Sequence, residues 1–285
     1  MKTIQKTAIA LAATGLFATA AFAADTPTNP EDAGSPISAN VTVVNDYRYR
    51  GISQSNFKPA IQGGFDYAHE SGLYIGNWNS SISWIADGYN TASAQAVTGK
   101  QVSSQIEMDF YAGFKKELIG AGYASDFGVL QYYYPTSASV AGFTNPNTTE
   151  IYAAQNATFG PVTGFLKFSY ALSNTFGWYG STGSNYLDLT ANYDTGFYGI
   201  TLNAHAGYQK IAGQYYEAGM PSRSYADWKL GLTKDFGGGL SASAAYVATN
   251  QKQGSGAYAG TYANYVPGGR NMGAATGLVS LTKTF

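Results

Sequence analysis

Ile106-Glu107-Met108-Asp109-Phe110-Tyr111-Ala112-Gly113-Phe114-Lys115 alternates with a period of two. Ile106, Met108, Phe110, Ala112 and Phe114 fall on one side; Gln105, Glu107, Asp109, Tyr111 and Lys115 fall on the other. Successive side chains of a strand point to opposite faces, whereas a helix would mix these two sets around its circumference. The stretch therefore reads as a strand with one apolar face and one face that carries charge.

The same pattern returns along the chain. Ile37, Ala39, Val41, Val43, Tyr47 and Tyr49 oppose Asn40, Thr42, Asp46, Arg48 and Arg50. Val162, Leu166, Phe168, Tyr170 and Leu172 oppose Thr163, Lys167 and Ser169. Further runs place Leu187 and Leu189 against Asp188, Leu202 and Ala204 against Asn203 and His205, and Trp228 and Leu230 against Asp227 and Lys229. Weaker alternation covers 59–68, 73–84, 123–134, 148–159, 240–250 and 272–285, which brings the expected total to twelve strands. The connections sort by length. Short ones (69–72, 117–122, 160–161, 194–196, 235–239) alternate with long ones (51–58, 85–103, 135–147, 173–183, 209–223, 251–270). Outer-membrane barrels join an even number of antiparallel strands by short periplasmic turns and long extracellular loops. The expected fold is therefore all-β, a transmembrane antiparallel up-and-down β-barrel of about 12 strands, with both termini on the periplasmic side.

Composition agrees with a wall that shows lipid one face and water the other. Charged residues are 12% of the 285, about half the share usual in soluble domains, yet mean hydropathy is −0.17. The 24 Tyr, 15 Phe and 4 Trp exclude a disordered chain. Tyr47, Tyr49, Trp84, Tyr132 to Tyr134, Tyr170, Tyr208 and Tyr246 sit next to long loops; Tyr67, Phe114, Phe159, Tyr193, Tyr198 and Phe285 sit next to short turns. Two aromatic belts at the membrane interfaces are expected. The ending Leu281-Thr282-Lys283-Thr284-Phe285, an alternating strand with a terminal aromatic, is of the kind barrel-assembly machinery reads.

Residues 1–23 read as a cleaved signal peptide: Lys2 and Lys6, an uncharged apolar run from Ala8 to Ala20, then Ala21-Phe22-Ala23. Loss of Lys2 and Lys6 would move the net charge from −1 to −3. Residues 24–36, with three Pro between Thr26 and Pro36, read as a flexible periplasmic tail, and 37–285 as the barrel. Near-neutral charge without a basic run argues against nucleic acid. Zero Cys and two His leave no thiolate or zinc chemistry, and no Gly-x-Ser-x-Gly elbow accompanies them. His69 is expected in a turn and His205 as a satisfied lumen residue. The Gly237-Gly238-Gly239 run reads as a turn. No catalytic residue, metal or cofactor is expected.

Asn45-Asp46-Tyr47-Arg48-Tyr49-Arg50-Gly51-Ile52-Ser53-Gln54 and Pro59-Ala60-Ile61-Gln62-Gly63-Gly64-Phe65-Asp66-Tyr67 resemble the opening of the TorF-like porins, a proteobacterial outer-membrane family. Glu107 to Tyr111, Tyr132 to Pro135, Glu150 to Tyr152, Lys234 to Gly237 and Lys283 to Phe285 are similar as well. The resemblance spans nearly the whole chain after the signal peptide and is most specific over 45–76; Ala248 stands where the pattern would carry an acid. It implies a porin in the bacterial outer membrane, without naming its solute. Loops 85–103 and 251–270 show no family pattern and could set specificity.

In such a barrel the charged faces line the lumen. The expected pore-lining acids are Asp46, Asp66, Glu107, Asp109, Glu150, Asp188 and Asp227; the bases are Arg48, Arg50, Lys115, Lys167 and Lys229. Arg48 and Arg50, near the outer rim, are the expected constriction. Opposed charges create a polar constriction for hydrated solutes. Twelve strands lie between filled small barrels and open porins. Two readings follow: passive diffusion of small hydrophilic solutes or ions, or a sealed barrel acting through its loops as an adhesin, receptor or structural element. Outer-membrane lipids and the assembly machinery, through Phe285, are the expected partners.

Overall fold

A computed structural model describes residues 36–90, 102–136, 145–213, 223–251 and 270–285; the proposed signal peptide, most of the proposed tail, and the central parts of loops 85–103 and 251–270 lie outside the described residues. In chain order the elements are β1 (Ile37–Val44), β2 (Arg48–Tyr49), β3 (Ile52–Ser53), β4 (Ala60–Ala68), β5 (Leu73–Ser81), α1 (Trp84–Tyr89), β6 (Ile106–Glu117), β7 (Tyr123–Tyr133), β8 (Thr148–Phe159), β9 (Val162–Ala171), β10 (Asn185–Asp194), β11 (Ile200–Lys210), β12 (Tyr225–Asp235), β13 (Leu240–Thr249) and β14 (Thr276–Thr284). Twelve of the strands form one closed antiparallel barrel in sequence order, with β14 returning to β1. β2 and β3 pair only with each other and stand apart from the wall. No described helix is long and apolar enough to cross a membrane.

The alternation seen in sequence sorts outside from inside. Val43, Phe110, Leu166, Leu189 and Trp228 are exposed on the outer wall, while their neighbours Thr42, Asp109, Lys167, Asp188 and Asp227 are buried in the interior. This inverts a soluble protein. The apolar face points out because hydrocarbon is its solvent, and a closed sheet has no edge strand to leave its amides in hydrocarbon.

The interior is packed by tyrosines seated on glycines. Tyr111 lies over Gly76, Tyr74 over Gly113, Tyr152 over Gly128 and Tyr186 over Gly207; a Cβ at any of these glycines would collide with the ring. Removing four side chains from the inner wall thus makes room for four large amphipathic ones.

Turn chemistry separates the two ends. The short connections use left-handed glycines, including Gly72, Gly160 and Gly196 at φ 100°, 55° and 66°, and the three glycines 237–239 form the turn expected of them. His69 lies in its turn, its Nδ1 2.9 Å from Ser71 Oγ.

Two expectations need correction. β1 ends at Val44, not at Arg50: Asn45 N still donates to Val279 O at 3.1 Å, but its side chain takes over the further pairing with β14, donating to Gly277 O at 3.0 Å and accepting from Val279 N at 2.8 Å. Tyr47 and Tyr49 are therefore buried inside, not in the outer belt, and Tyr132 and Tyr134 join them. Trp84 likewise leaves the wall, since β5 stops at Ser81, and packs from α1 against the same cluster. Tyr133, Tyr170, Tyr208 and Tyr246 do lie exposed on the outer wall near the long-loop end, as Tyr67, Phe159, Tyr193, Tyr198 and Phe285 do near the short-turn end.

Candidate functional site

The segment 45–58 turns inward from the top of β1 and crosses the lumen as a hairpin. Its tip is Arg50-Gly51, with φ 45° and 77°, the two left-handed positions of the tight turn favoured in two-residue hairpins. Gly51 is required twice over. Its backbone is left-handed, and a Cβ there would lie 2.8 Å from Asp227 Cβ on the opposite wall.

Arg50 latches this tip to the barrel. Its Nη1 and Nη2 donate to Glu150 Oε1 and Oε2 at 3.1 and 2.7 Å, and Nη1 also donates to Gln209 Oε1 at 2.6 Å. The guanidinium is sandwiched by rings, 4.8 Å from the centroid of Tyr49 and 4.2 Å from that of Tyr186. Burial works against its charge, and the adjoining Glu150 carboxylate compensates it. A buried bidentate Arg–carboxylate pair is the geometry in which such a pair is strong.

Arg48 secures the hairpin stem. Its Nε donates to Asp46 Oδ2 at 2.6 Å, and its Nη1 donates to the carbonyls of Gly51, Met272 and Ala274 at 3.0, 2.8 and 3.0 Å. Ser53 Oγ completes the Asp46 shell at 2.6 Å. Tyr47 donates to Glu107 Oε1 at 2.9 Å, and Tyr49 donates to Tyr132 at 2.8 Å.

One part of this region is left uncompensated. Asp109 is fully buried, and neither of its carboxylate oxygens has a hydrogen-bond partner; Glu107 Oε2 has none either. Buried acids without partners are expensive to hold as anions.

The remaining sequence-predicted residues divide into groups. Asp66 accepts from Tyr111 at 2.5 Å. Lys115 stands opposite Asp126 in the β6–β7 register, and Asp126 accepts from Tyr74 at 2.6 Å. Lys167 lies 4.0 Å above the Tyr152 ring and opposite Asp188. His205 bridges two carboxylates, with Nδ1 2.9 Å from Asp188 Oδ1 and Nε2 2.9 Å from Asp227 Oδ2, while Tyr186 donates to Asp227 at 2.9 Å. Lys229 is the register partner of His205. Among the described residues no group of three or more acidic or His side chains is placed to hold a metal ion. Sequence reasoning missed Asp126, because the inner face of β7 also holds Ala124 and Leu130, and missed Gln209, the last but one residue of β11.

The latch makes a direct expectation. Gly51→Val should force residues 45–58 out of the lumen, because the left-handed turn costs a branched residue about 1–2 kcal/mol and the overpacking against Asp227 adds about 1–3 kcal/mol. Limited proteolysis of the folded barrel reads this: the segment resists cleavage in the parent and is cut in the variant. Equal resistance would remove the strain argument.

Residues 28–285 match the family described as "Bacterial protein of unknown function (Gcw_chp)". The chain belongs to this family. No curated protein matches the chain. Among solved structures, a NanC porin aligns with a TM-score of 0.51 at 10% identity, covering 87% of this chain and 98% of that one. A KdgM porin aligns with a TM-score of 0.49 at 8% identity and the same two coverages. The Acinetobacter baumannii protein OccAB3 gives 0.43 at 10% identity, covering 89% of this chain and 66% of that one. At these identities the NanC likeness speaks for the fold: this Gcw_chp protein shares its barrel architecture.

Proposed function

We propose that the protein is an outer-membrane, porin-like channel for passive diffusion of small hydrophilic solutes or ions, held narrow by the hairpin 45–58. The observation that carries this is the lumen itself. Charged groups of both signs run along it inside an apolar outer wall, and a separate hairpin adds to the wall tyrosines that narrow it. The resemblance of residues 45–76 to the TorF-like porins supports the same reading. The seven expected lumen acids outnumber the five expected bases, which favours cations as the preferred passengers. In this reading the long loops are extracellular, the short turns and both termini periplasmic, residues 1–23 direct export, lipids surround the wall, and Phe285 serves the assembly machinery. The protein is not an enzyme.

A second reading is favoured by one observation, the Arg50–Glu150 pair that ties the hairpin across the lumen at 2.7 Å. It makes the resting barrel non-conducting, with the long loops as its working surface. Single-channel recording of the folded, heat-modifiable protein in a planar bilayer separates the two. Small, cation-preferring steps are expected; complete absence of steps, in the parent and in a variant freed of the latch, would leave the second reading standing.

A further inference from the structure

The hairpin 45–58 is bonded chiefly to one side of the lumen. Tyr47 donates to Glu107 on β6, Tyr49 to Tyr132 on β7, and Arg50 to Glu150 on β8 and Gln209 on β11. That side is also the one filled by Tyr74, Tyr111, Tyr152 and Tyr186. The opposite side is built differently. The inner faces of β13, β14 and β1, where the barrel closes, carry Ser241, Ser243, Ala245, Ser280, Thr282 and Thr42, and among the described residues no aromatic or charged side chain. Their hydroxyls bond sideways between neighbouring strands, Ser243 with Ser280 at 2.7 Å and Thr42 with Thr282 at 2.8 Å. Arg48 ties only the hairpin stem to this side, through the carbonyls of Met272 and Ala274 ahead of β14. Between the hairpin and the hydroxyl face lies a cavity of about 50 Å³. Thr42, Ser243 and Ser280 bound it on the wall, Asp46, Tyr47 and Arg48 on the hairpin, and Lys229 on the flanking β12.

We propose that this cavity is part of a water-filled lane between the hairpin and the β13–β14–β1 face, which carries small ions past the latched hairpin and excludes solutes as large as a sugar. The proposal deepens the channel reading above and rests on it. A polar cavity holds one water for about 15 Å³ of such volume, so 50 Å³ takes about three waters and no sugar ring. The lining suits water and ions. Each hydroxyl pair spends one proton on the bond between its members and leaves the other to donate, with lone pairs to accept. On the hairpin side Asp46 and Arg48 neutralise each other at 2.6 Å, so neither stands as a fixed charge against a passing ion. The tyrosine side offers no such room, since its rings lie so close to Gly76, Gly113, Gly128 and Gly207 that even a Cβ would collide. A larger solute has to wait until the hairpin leaves Glu150.

The chain has no Cys, so an introduced thiol is the only one present. Ser280→Cys and Ser243→Cys place it on the lane. Ser169→Cys is the comparator, an inward position on β9 whose strand partners are Tyr152 and Tyr186. Each full-chain variant is recorded in a planar bilayer in nitrate salts, before and after Ag⁺, a thiol-binding ion small enough for the lane. Ag⁺ should lower the steps of either lane variant about twofold or more, because a fixed cation in a narrow pore obstructs it and repels the next ion. The parent and Ser169→Cys should be unaffected. Liposomes carrying the parent should pass K⁺ and should not swell in glucose. Lane variants that ignore Ag⁺, a Ser169→Cys block equal to theirs, or glucose entry through the parent would overturn the lane. Steps that persist in those cases leave the channel reading standing, whereas a parent and an Arg50→Ala variant that are both silent would remove lane and channel together.

Discussion

Arg50→Ala is expected to turn small conductance steps into larger and longer ones. The substitution removes both hydrogen bonds to Glu150, the bond to Gln209 and the stacking on Tyr49 and Tyr186 in one change. It also leaves Glu150 buried without its partner, which costs about 3–5 kcal/mol. The cheapest relief is for the hairpin to lift and water to reach Glu150. Glu150→Gln is the companion variant: it keeps a hydrogen-bonding side chain for Arg50 and should open the channel less. Equal conductance in Arg50→Ala and the parent would show that the hairpin is not the constriction.

His205→Ala is expected to damage the barrel wall rather than its gate. His205 stands between Asp188 and Asp227 at 2.9 Å from each, so its removal takes one partner from each acid and leaves Asp188 with Thr190 and Asp227 with Tyr186. The cost is about 1–3 kcal/mol, placed on β10, β11 and β12. The temperature at which the folded gel band converts to the unfolded one should fall clearly, while step size stays near that of the parent. His205→Gln, which can still donate to one acid, should recover part of the loss. A variant as heat-resistant as the parent would mean that water replaces the ring without penalty.

The wall was legible because two solvents enforce its pattern. Along Ile106–Glu117 each residue meets either hydrocarbon or lumen, so Phe110 and Asp109 could not trade places without cost. The inward direction of Glu107, Asp109, Lys167, Asp188 and Asp227 followed from the same rule. The hairpin was not legible, and the reason is instructive. Tyr47, Arg48, Tyr49 and Arg50 resume the alternation of β1 after Val44 and Asn45 interrupt it, yet their two faces belong to a lumen segment with no lipid side. What ends the wall is Asn45 bonding to β14, across 232 residues of sequence. The partners of the charges were hidden for a similar cause. Arg50 and Glu150 lie 100 residues apart, on elements that meet only because the barrel closes. Alternation reports which way a side chain points, and says nothing of what faces it across a closed ring.

That closure has a consequence for how the chain can exist at all. Eleven of the wall's joins link strands that follow one another in sequence, and one, β1 to β14, links its two ends. This last join is short, with five residue pairs from Asn40–Thr284 to Val44–Ser280, against eight between β1 and β4. A chain cut before Thr276 would lose it and present two rows of unpaired amides to hydrocarbon, which no lipid can satisfy. There is accordingly no useful half-built form. The last nine residues of strand decide whether the preceding eleven strands are a membrane protein or an aggregate.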